Sequence, residues 1–557
     1  MPWRSAGLGQ RLGVLLVAAV VALLVVLPVL QLGYVVWAEG RGNLDEVFRR
    51  PGLGEAIINT GLLAVAVTVV AVPLGTLIAL GLRRTDVPGG RWWRFAMMLP
   101  LLVPQFVLGY SWTQAYGRAG FTDSILGLPW PSVLGPWGVW AVLVVNTVPL
   151  TYLISAVGLA TRAEPNLERA ARASGAGAVS VLRDVTLPLL RPAIAAASVL
   201  SVVFTLESFA IPQVMGTPAG FATVTTKIYR DLSLGSDPLS FVEALALALL
   251  LVAITVAVVV PADMFLGPRL RTVRVAAPEG APIVQPRAGA GRWIAAGLGA
   301  YHLLGVAIPL IALVSAAVTP AVGVSPSPSN WTLANFSSVI TPRNADALGR
   351  SALLAFIAAG LLTVLGGLVA VLERRRAGRA MASLVTLTLV LPGSTLAVAL
   401  LITYGRWLGS TLTLILLAYI AKLWAFAHRP ISGALDRLPP GELQAARASG
   451  AGPWTAVRTV ALRPLAPALL GAWLICFVTA LHEVTMSSLL YGPGSETLAV
   501  VVLNSQELGR IGTTAALSVL LTLILLVPTV PTWMLMRWLR SPRRVSRARD
   551  GSFQNAR

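Results

Sequence analysis

The sequence predicts an all-α membrane protein of about twelve transmembrane helices, arranged as two parallel six-helix repeats. Three observations predict it. Hydrophobic residues make up 56% of the 557-residue chain and charged ones 12%, against about 45–50% and about 25% in soluble domains. Apolar runs of about 20 residues recur from end to end, each able to cross about 30 Å of hydrocarbon. One string, Ala-Ala-Arg-Ala-Ser-Gly-Ala-Gly, stands twice, at 170–177 and at 445–452. That period is far longer than the roughly 20–50 residues of a solenoid, so it marks two copies of one membrane domain.

In the first half the apolar windows fall at 12–36, 56–82, 95–116, 136–160, 190–212 and 241–265. In the second they fall at 293–318, 349–372, 381–404, 410–427, 465–490 and 513–538. The first window, from Leu12 to Val36, is too long for a signal-peptide core and has no clear small-residue cleavage site, so it reads as a retained span. Arginines set the orientation. Arg4 and Arg11 precede the first span, and Arg83, Arg84, Arg91 and Arg94 follow the second. More arginines surround both repeated strings, the segment joining the halves and the tail. The opposite loops are mixed or acidic, with Asp45, Glu46 and Glu55 in one half and Glu496 and Glu507 in the other. Positive-inside bias then puts both termini and both strings on the cytoplasmic side of the membrane. Six spans per half give the copies the same orientation.

The first domain is expected at 1–266, with its repeated element at 161–190. A linker rich in Pro, Ala and Gly occupies 267–292. The second domain follows at 293–540, with its element at 428–465, and a basic cytoplasmic tail at 541–557. Extracytoplasmic stretches such as 43–52 and 319–344 are short, so any soluble machinery must be borrowed. The net charge of +20 would suggest nucleic acid in a soluble chain. Here it sits in loops flanking spans, so no nucleic-acid partner is implied, and membrane lipid is the surrounding phase. Cys476 is the single cysteine, which excludes an internal disulfide and any multi-cysteine metal site. His302, His428 and His482 are scattered over different spans, and no nucleophile–base arrangement appears. No catalytic residue and no metal site are therefore assigned, and the chain is not expected to be an enzyme.

The repeated element has its own local logic. Pro165 suits a first helical turn, with Glu164 and Glu168 near its positive end. Ala170, Ala171 and Ala173 favour helix, and Gly175 breaks it. A second short helix is expected from Ala178 to Asp184, before Pro188. The second copy repeats this through Gln444, Ala445, Ala446 and Gly450, then Pro453 and a helix from Trp454 to Val460. Small residues and a sharp turn make a protruding cytoplasmic knob to which a partner backbone can come close.

With these residues in view, the chain resembles the permeases of importer-type ABC transporters. Their EAA loop starts Glu-Ala-Ala, has a glycine six residues after the Glu, and ends in Leu-Pro about a dozen residues on. Gly175 and Leu187-Pro188 match in the first half. Arg169 occupies the Glu position, with Glu168 one residue earlier. In the second half Gly450 matches, Gln444 stands at the Glu position, and Arg463 replaces the Pro, which comes one residue later as Pro464. The resemblance covers nearly the whole chain and implies a type I importer permease fold in a bacterial inner membrane. It also implies that each loop is a coupling helix docking on a cytoplasmic ATPase, through Glu168, Arg169, Ala170, Ala171 and Gly175 in one copy and Gln444, Ala445, Ala446 and Gly450 in the other. The chain is not its own ATPase, because neither Lys227 nor Lys422 follows a glycine as a phosphate-binding loop requires. The implied partners are two ATP-binding subunits and an extracytoplasmic substrate-binding protein. ATP and Mg belong to those ATPase subunits, and no cofactor belongs to this chain.

Acidic residues within apolar spans mark substrate routes. Glu207 lies 32 residues past Gly175 and Glu483 lies 33 past Gly450, each with a glycine nine residues later, Gly216 and Gly492. Across a pseudo-twofold axis they would face one path and meet a cation. The alternative is that each caps a helix end or pairs with a neighbouring backbone or Arg. Lys422 is expected near the cytoplasmic end of its span, snorkelling. The segments from Gly216 to Tyr229 and from Tyr491 to Leu498 resemble the gate loops of ferric-iron-type permeases, which commonly fuse both domains in one chain. Ferric iron is therefore the expected cargo, with thiamine, polyamine or phosphonate importers as alternatives. A secondary transporter of the major facilitator type is a further alternative. Its second-to-third-span signature is only faintly echoed, from Gly81 to Arg91, and it has no string between spans four and five.

Overall fold

The computed structural model describes residues 8–40, 44–118, 120–128, 130–162, 165–271, 289–321, 323–325, 327–373, 388, 391–438 and 441–540. Their regular elements are all helices, with no strand among the described residues. Ten helices are long and apolar enough to cross a membrane, and one bent pair makes an eleventh. In the first half they are α1 (Arg11–Glu39), α2 (Leu53–Arg84), the pair α3 (Gly90–Leu102) and α4 (Gln105–Tyr116), and α5 (Pro136–Arg162). The knob helix α6 (Pro165–Ala173) leads to α7 (Ala178–Leu206), a buried short helix α8 (Val224–Ser233) and the last span α9 (Pro238–Arg271).

The second half repeats the order. It runs α10 (Ala290–Val318), α11 (Pro342–Leu372), α12 (Gly393–Leu408) and α13 (Leu412–Leu435). Then come the knob helix α14 (Glu442–Ala448), the fifth span α15 (Leu462–Leu481), the short α16 (Leu498–Glu507) and α17 (Ile511–Arg540).

Several boundaries differ from the apolar windows, each for a local reason. The third span of the first half is no continuous helix; it bends by 97° between Leu102 and Gln105. Pro104, in the polyproline-like region at φ −54° and ψ 139°, caps α4 from outside, because proline neither donates a hydrogen bond nor tolerates a helical residue before it. Pro392 does the same for α12 at φ −58° and ψ 135°. Within the expected window 381–404 a described helix begins at Gly393, and most of the window before it lies outside the described residues. Both fifth spans stop short of their windows, at Leu206 and Leu481. The expected second knob helix is not separate: residues 178–206 run as one span. Most of the linker, 272–288, and the tail, 541–557, lie outside the described residues.

Prolines also explain three of the π turns. Widened turns at Ala22–Val26, Leu182–Thr186 and Leu303–Ala307 each come two residues before a proline, Pro28, Pro188 and Pro309. A proline in a helix lacks its N–H and clashes with the carbonyl a turn earlier, and a π bulge relieves both.

The halves are intertwined. The first span of each packs on the third span of the other: α1 on α12, and α10 on α4. The exposed carbonyls of the π turns are the attachment points. Tyr116 on α4 donates to the Leu304 carbonyl at 2.6 Å, and Trp112 to Gly305 at 2.9 Å. Reciprocally, Tyr404 on α12 donates to the Leu23 carbonyl at 2.6 Å. Tyr116 and Tyr404 each lie twelve residues past their span-breaking prolines, so these bonds are pseudo-symmetry mates. Within each half, close helix contacts depend on glycine. A Cβ on Gly75 would lie 2.1 Å from Thr151 Oγ1, and one on Gly366 2.7 Å from the His428 nitrogen.

Candidate functional site

The two knobs are built alike. After α6 the chain turns at Gly175, φ +89°; after α14 it turns at Gly450, φ +85°. Both ends form the same pair of bonds. Gly175 N–H donates to Arg172 O and Ala176 N–H to Ala171 O; Gly450 N–H donates to Arg447 O and Ala451 N–H to Ala446 O. This is a Schellman closure, whose left-handed residue is almost always glycine. Ser174 and Ser449 each return their hydroxyl to the carbonyl four residues back. Arg169, Ala170, Gly175, Gln444, Ala445 and Gly450 are exposed, and Ala171 and Ala446 half-buried. On the first knob Leu167 and Val179 add exposed apolar surface that the motif did not flag.

Glu168 departs from its expected place among the docking residues. It is buried, its Oε1 receiving Arg84 Nη2 from the end of α2 at 2.9 Å and the Thr186 hydroxyl at 3.0 Å. It clamps the knob to α2 and to the start of α7. The copy at 445–452 has Leu443 at that place. Glu373, just past α11, binds the last turns of α13, accepting from His428 Nε2 at 2.7 Å and from the Ser432 hydroxyl.

At the seam, Glu207 and Glu483 do not make a symmetrical pair of free carboxylates. Glu207 ends α7 and reaches across to the second half, where Lys422 Nζ donates to its Oε2 at 2.8 Å. The same ammonium donates to the Leu391 carbonyl at 2.6 Å, exposed by the break at Pro392. Lys422 is not snorkelling. The helix continues to Leu435, beyond the apolar window, so Lys422 lies about 15 Å from its start. Its side chain is 11% exposed. Glu483 turns back on its own chain, accepting from the Met486 N–H at 2.8 and 3.0 Å and from the Ser487 N–H at 3.0 Å. Lys422 still lies within coulombic reach of it.

The position matching Lys422 in the first half is Asn146. Each stands five residues before the partner of the helix-contact glycines, Thr151 for Gly75 and Ala427 for Gly366. Asn146 also binds its broken third span, accepting from Gln105 at 3.1 Å and donating to Pro100 O at 3.4 Å.

On the side away from the knobs, the first gate-like segment also reaches across the seam at Tyr229. Glu507, at the end of α16, accepts from Gln213 at 3.0 Å and from the Tyr229 hydroxyl at 3.4 Å. Nearby, Lys227 pairs with Glu243 at 2.7 Å and with Asp231 at 3.3 Å. Burial pushes the Asp231 carboxyl up to about 6, with Lys227 opposing. The lone lysine in a span was the sequence signal for the seam. Gln213 and Asn146 had none, since uncharged polar residues in spans are common.

Comparison with known proteins matches this architecture in both halves. The description "binding-protein-dependent transport system inner membrane component" fits residues 71–271 and 362–545. The Haemophilus influenzae Fe(3+)-transport system permease protein FbpB 2 is 25% identical over 466 residues, covering 82% of this chain and 85% of its own. The probable ABC transporter permease protein y4fN of Sinorhizobium fredii is 25% identical over 482 residues, covering 83% of each. The Escherichia coli putrescine transport system permease protein PotI is 29% identical over 191 residues, 32% of this chain and 67% of its own. With matched segments in both halves covering most of its length, the chain belongs to the family of binding-protein-dependent transport system inner membrane components.

Proposed function

We propose that this permease carries ferric iron across the inner membrane, driven by two ATPase subunits, one on each knob. As a member of its family the chain is a multi-pass transport subunit that works with ATPase and substrate-binding partners. The observation that carries the cargo is coverage. The relative named for Fe(3+) transport aligns with 82% of this chain, both halves included, whereas the putrescine permease aligns with 32%. The exposed faces around Gly175 and Gly450 are the ATPase docking surfaces, with Arg169, Ala170, Ala171, Gln444, Ala445 and Ala446 at the contact and Glu168 fixing the first knob from behind. The knobs and both termini face the cytoplasm. The domains divide at 1–266 and 293–540 around the linker. Glu207 and Glu483, at the seam, belong to the cation route.

The test is uptake of labelled ferric iron, thiamine, putrescine and 2-aminoethylphosphonate by cells expressing the complete transporter. Iron uptake that needs the binding protein and both knobs is expected. Uptake of one of the organic substrates without iron would reject the cargo while leaving the importer class intact.

A further inference from the structure

The seam holds a positive charge that the transport reading leaves unused. Lys422 is the one lysine within a long span. A charge at this depth is costly unless paired, and Lys422 has hydrogen-bonded partners from both halves. Glu207 is supplied by the end of α7, and the Leu391 carbonyl by the proline break before α12. The second Glu207 oxygen, Oε1, is buried without a hydrogen-bond partner. Tyr419, one turn before Lys422, hydrogen-bonds Ser487 at 2.8 Å, and Ser487 is bonded to Glu483. One face of α13 therefore touches both carboxylate-bearing turns. The lysine stem lies over Gly393, where a Cβ would be 3.6 Å from its Cδ and Cε and 3.4 Å from Met486 Cγ. The seam thus gathers two carboxyl groups around one ammonium, and the matching position in the first half, Asn146, carries no charge.

We propose that Lys422 is a tethered counter-cation that latches the two halves through Glu207 at rest and yields that carboxylate to the cationic substrate during passage. The proposal rests on the reading of Glu207 and Glu483 as a cation route. It goes beyond that reading by naming what occupies the route when no substrate is there. Moving the halves apart separates Glu207 from Lys422 and leaves both buried and unpaired. A passing cation removes that penalty by replacing the ammonium at Glu207, so only positively charged cargo opens the seam cheaply. Breaking the latch by neutralising one partner lowers the barrier to opening without cargo.

The test uses the complete transporter in proteoliposomes, measuring ATP hydrolysis with no binding protein and no substrate. Lys422→Met and Glu207→Gln are expected to raise this idle hydrolysis by about 5- to 150-fold, the usual span of an allosteric coupling. Lys422→Arg keeps it low. The exchange Glu207→Lys with Lys422→Glu restores low idle hydrolysis, which a merely structural role for either side chain does not produce. Assembly is checked by co-purification of the ATPase subunits. If a single variant fails to assemble, the exchange variant and Lys422→Arg still decide. Idle hydrolysis at the wild-type level in assembled Lys422→Met, or an exchange variant that stays high, overturns the proposal. Because no substrate is present, the outcome is independent of cargo. A wild-type transporter that imports no ferric iron defeats the iron assignment alone.

Discussion

Replacing Gly175 with alanine tests whether knob geometry sets ATPase docking. Gly175 sits at φ +89°, and nothing lies within 4 Å of an added Cβ. The substitution therefore creates no clash, and its whole effect is backbone strain. For an L-residue the left-handed conformation costs about 1–2 kcal/mol. If docking requires the turn as built, that strain is subtracted from binding, weakening the ATPase by about 5- to 30-fold. Asparagine tolerates the left-handed region, so Gly175→Asn is expected to lose much less. Gly450, at φ +85° and equally open, should behave in the same way. The knobs are separate, so the double alanine variant should lose about 2–4 kcal/mol in total. The assay is titration of purified ATPase subunit onto permease in nanodiscs. Gly360→Ala serves as control, since that glycine is helical, open and inside a span. Equal weakening by alanine and asparagine, or no weakening by either, would refute a docking role for the left-handed turn.

Three further outcomes follow from named contacts. Removing one partner of the Arg84–Glu168 clamp, as in Glu168→Leu, leaves a half-buried arginine without its carboxylate and should lower stability by about 1.5–3 kcal/mol; thermal unfolding in detergent should show Arg84→Met with Glu168→Leu far milder than either single change. Because the halves embrace each other, chains split within 272–288 should co-purify, and Tyr116→Phe with Tyr404→Phe should weaken that association by about 0.6 kcal/mol for each bond lost, read by subunit exchange between labelled halves. Cys476 is buried and is the only cysteine, so Ser174→Cys and Ser449→Cys, both on exposed knob positions, should react with a membrane-impermeant thiol reagent only in inside-out vesicles; labelling in right-side-out vesicles reverses the orientation.

What the sequence determined by itself is the part written in local chemistry. Composition and apolar windows made it a polytopic membrane protein. The duplicated Ala-Ala-Arg-Ala-Ser-Gly string placed two alike knobs, because helix-forming alanines followed by a left-handed glycine need only their own backbone to form. The breaks at Pro104 and Pro392 and the π turns before Pro28, Pro188 and Pro309 are equally local, readable from the missing proline N–H, although an apolar window passes straight over them. Which side chains meet was decided by tertiary structure alone. Glu168 and Leu443 occupy the same place beside the two repeated strings, and it is the tertiary fold that brings an arginine and a threonine to Glu168 from α2 and α7. Glu207 and Glu483 look alike in spacing, but one faces Lys422 of the other half and the other bonds amides three and four residues away. Lys422 looked like a residue near a span end because hydropathy ends the window at its polar continuation; packing carries the helix to Leu435 and so sinks the charge into the seam. The partner of a buried charge is set by how two halves cross, and no periodicity within either half encodes that crossing.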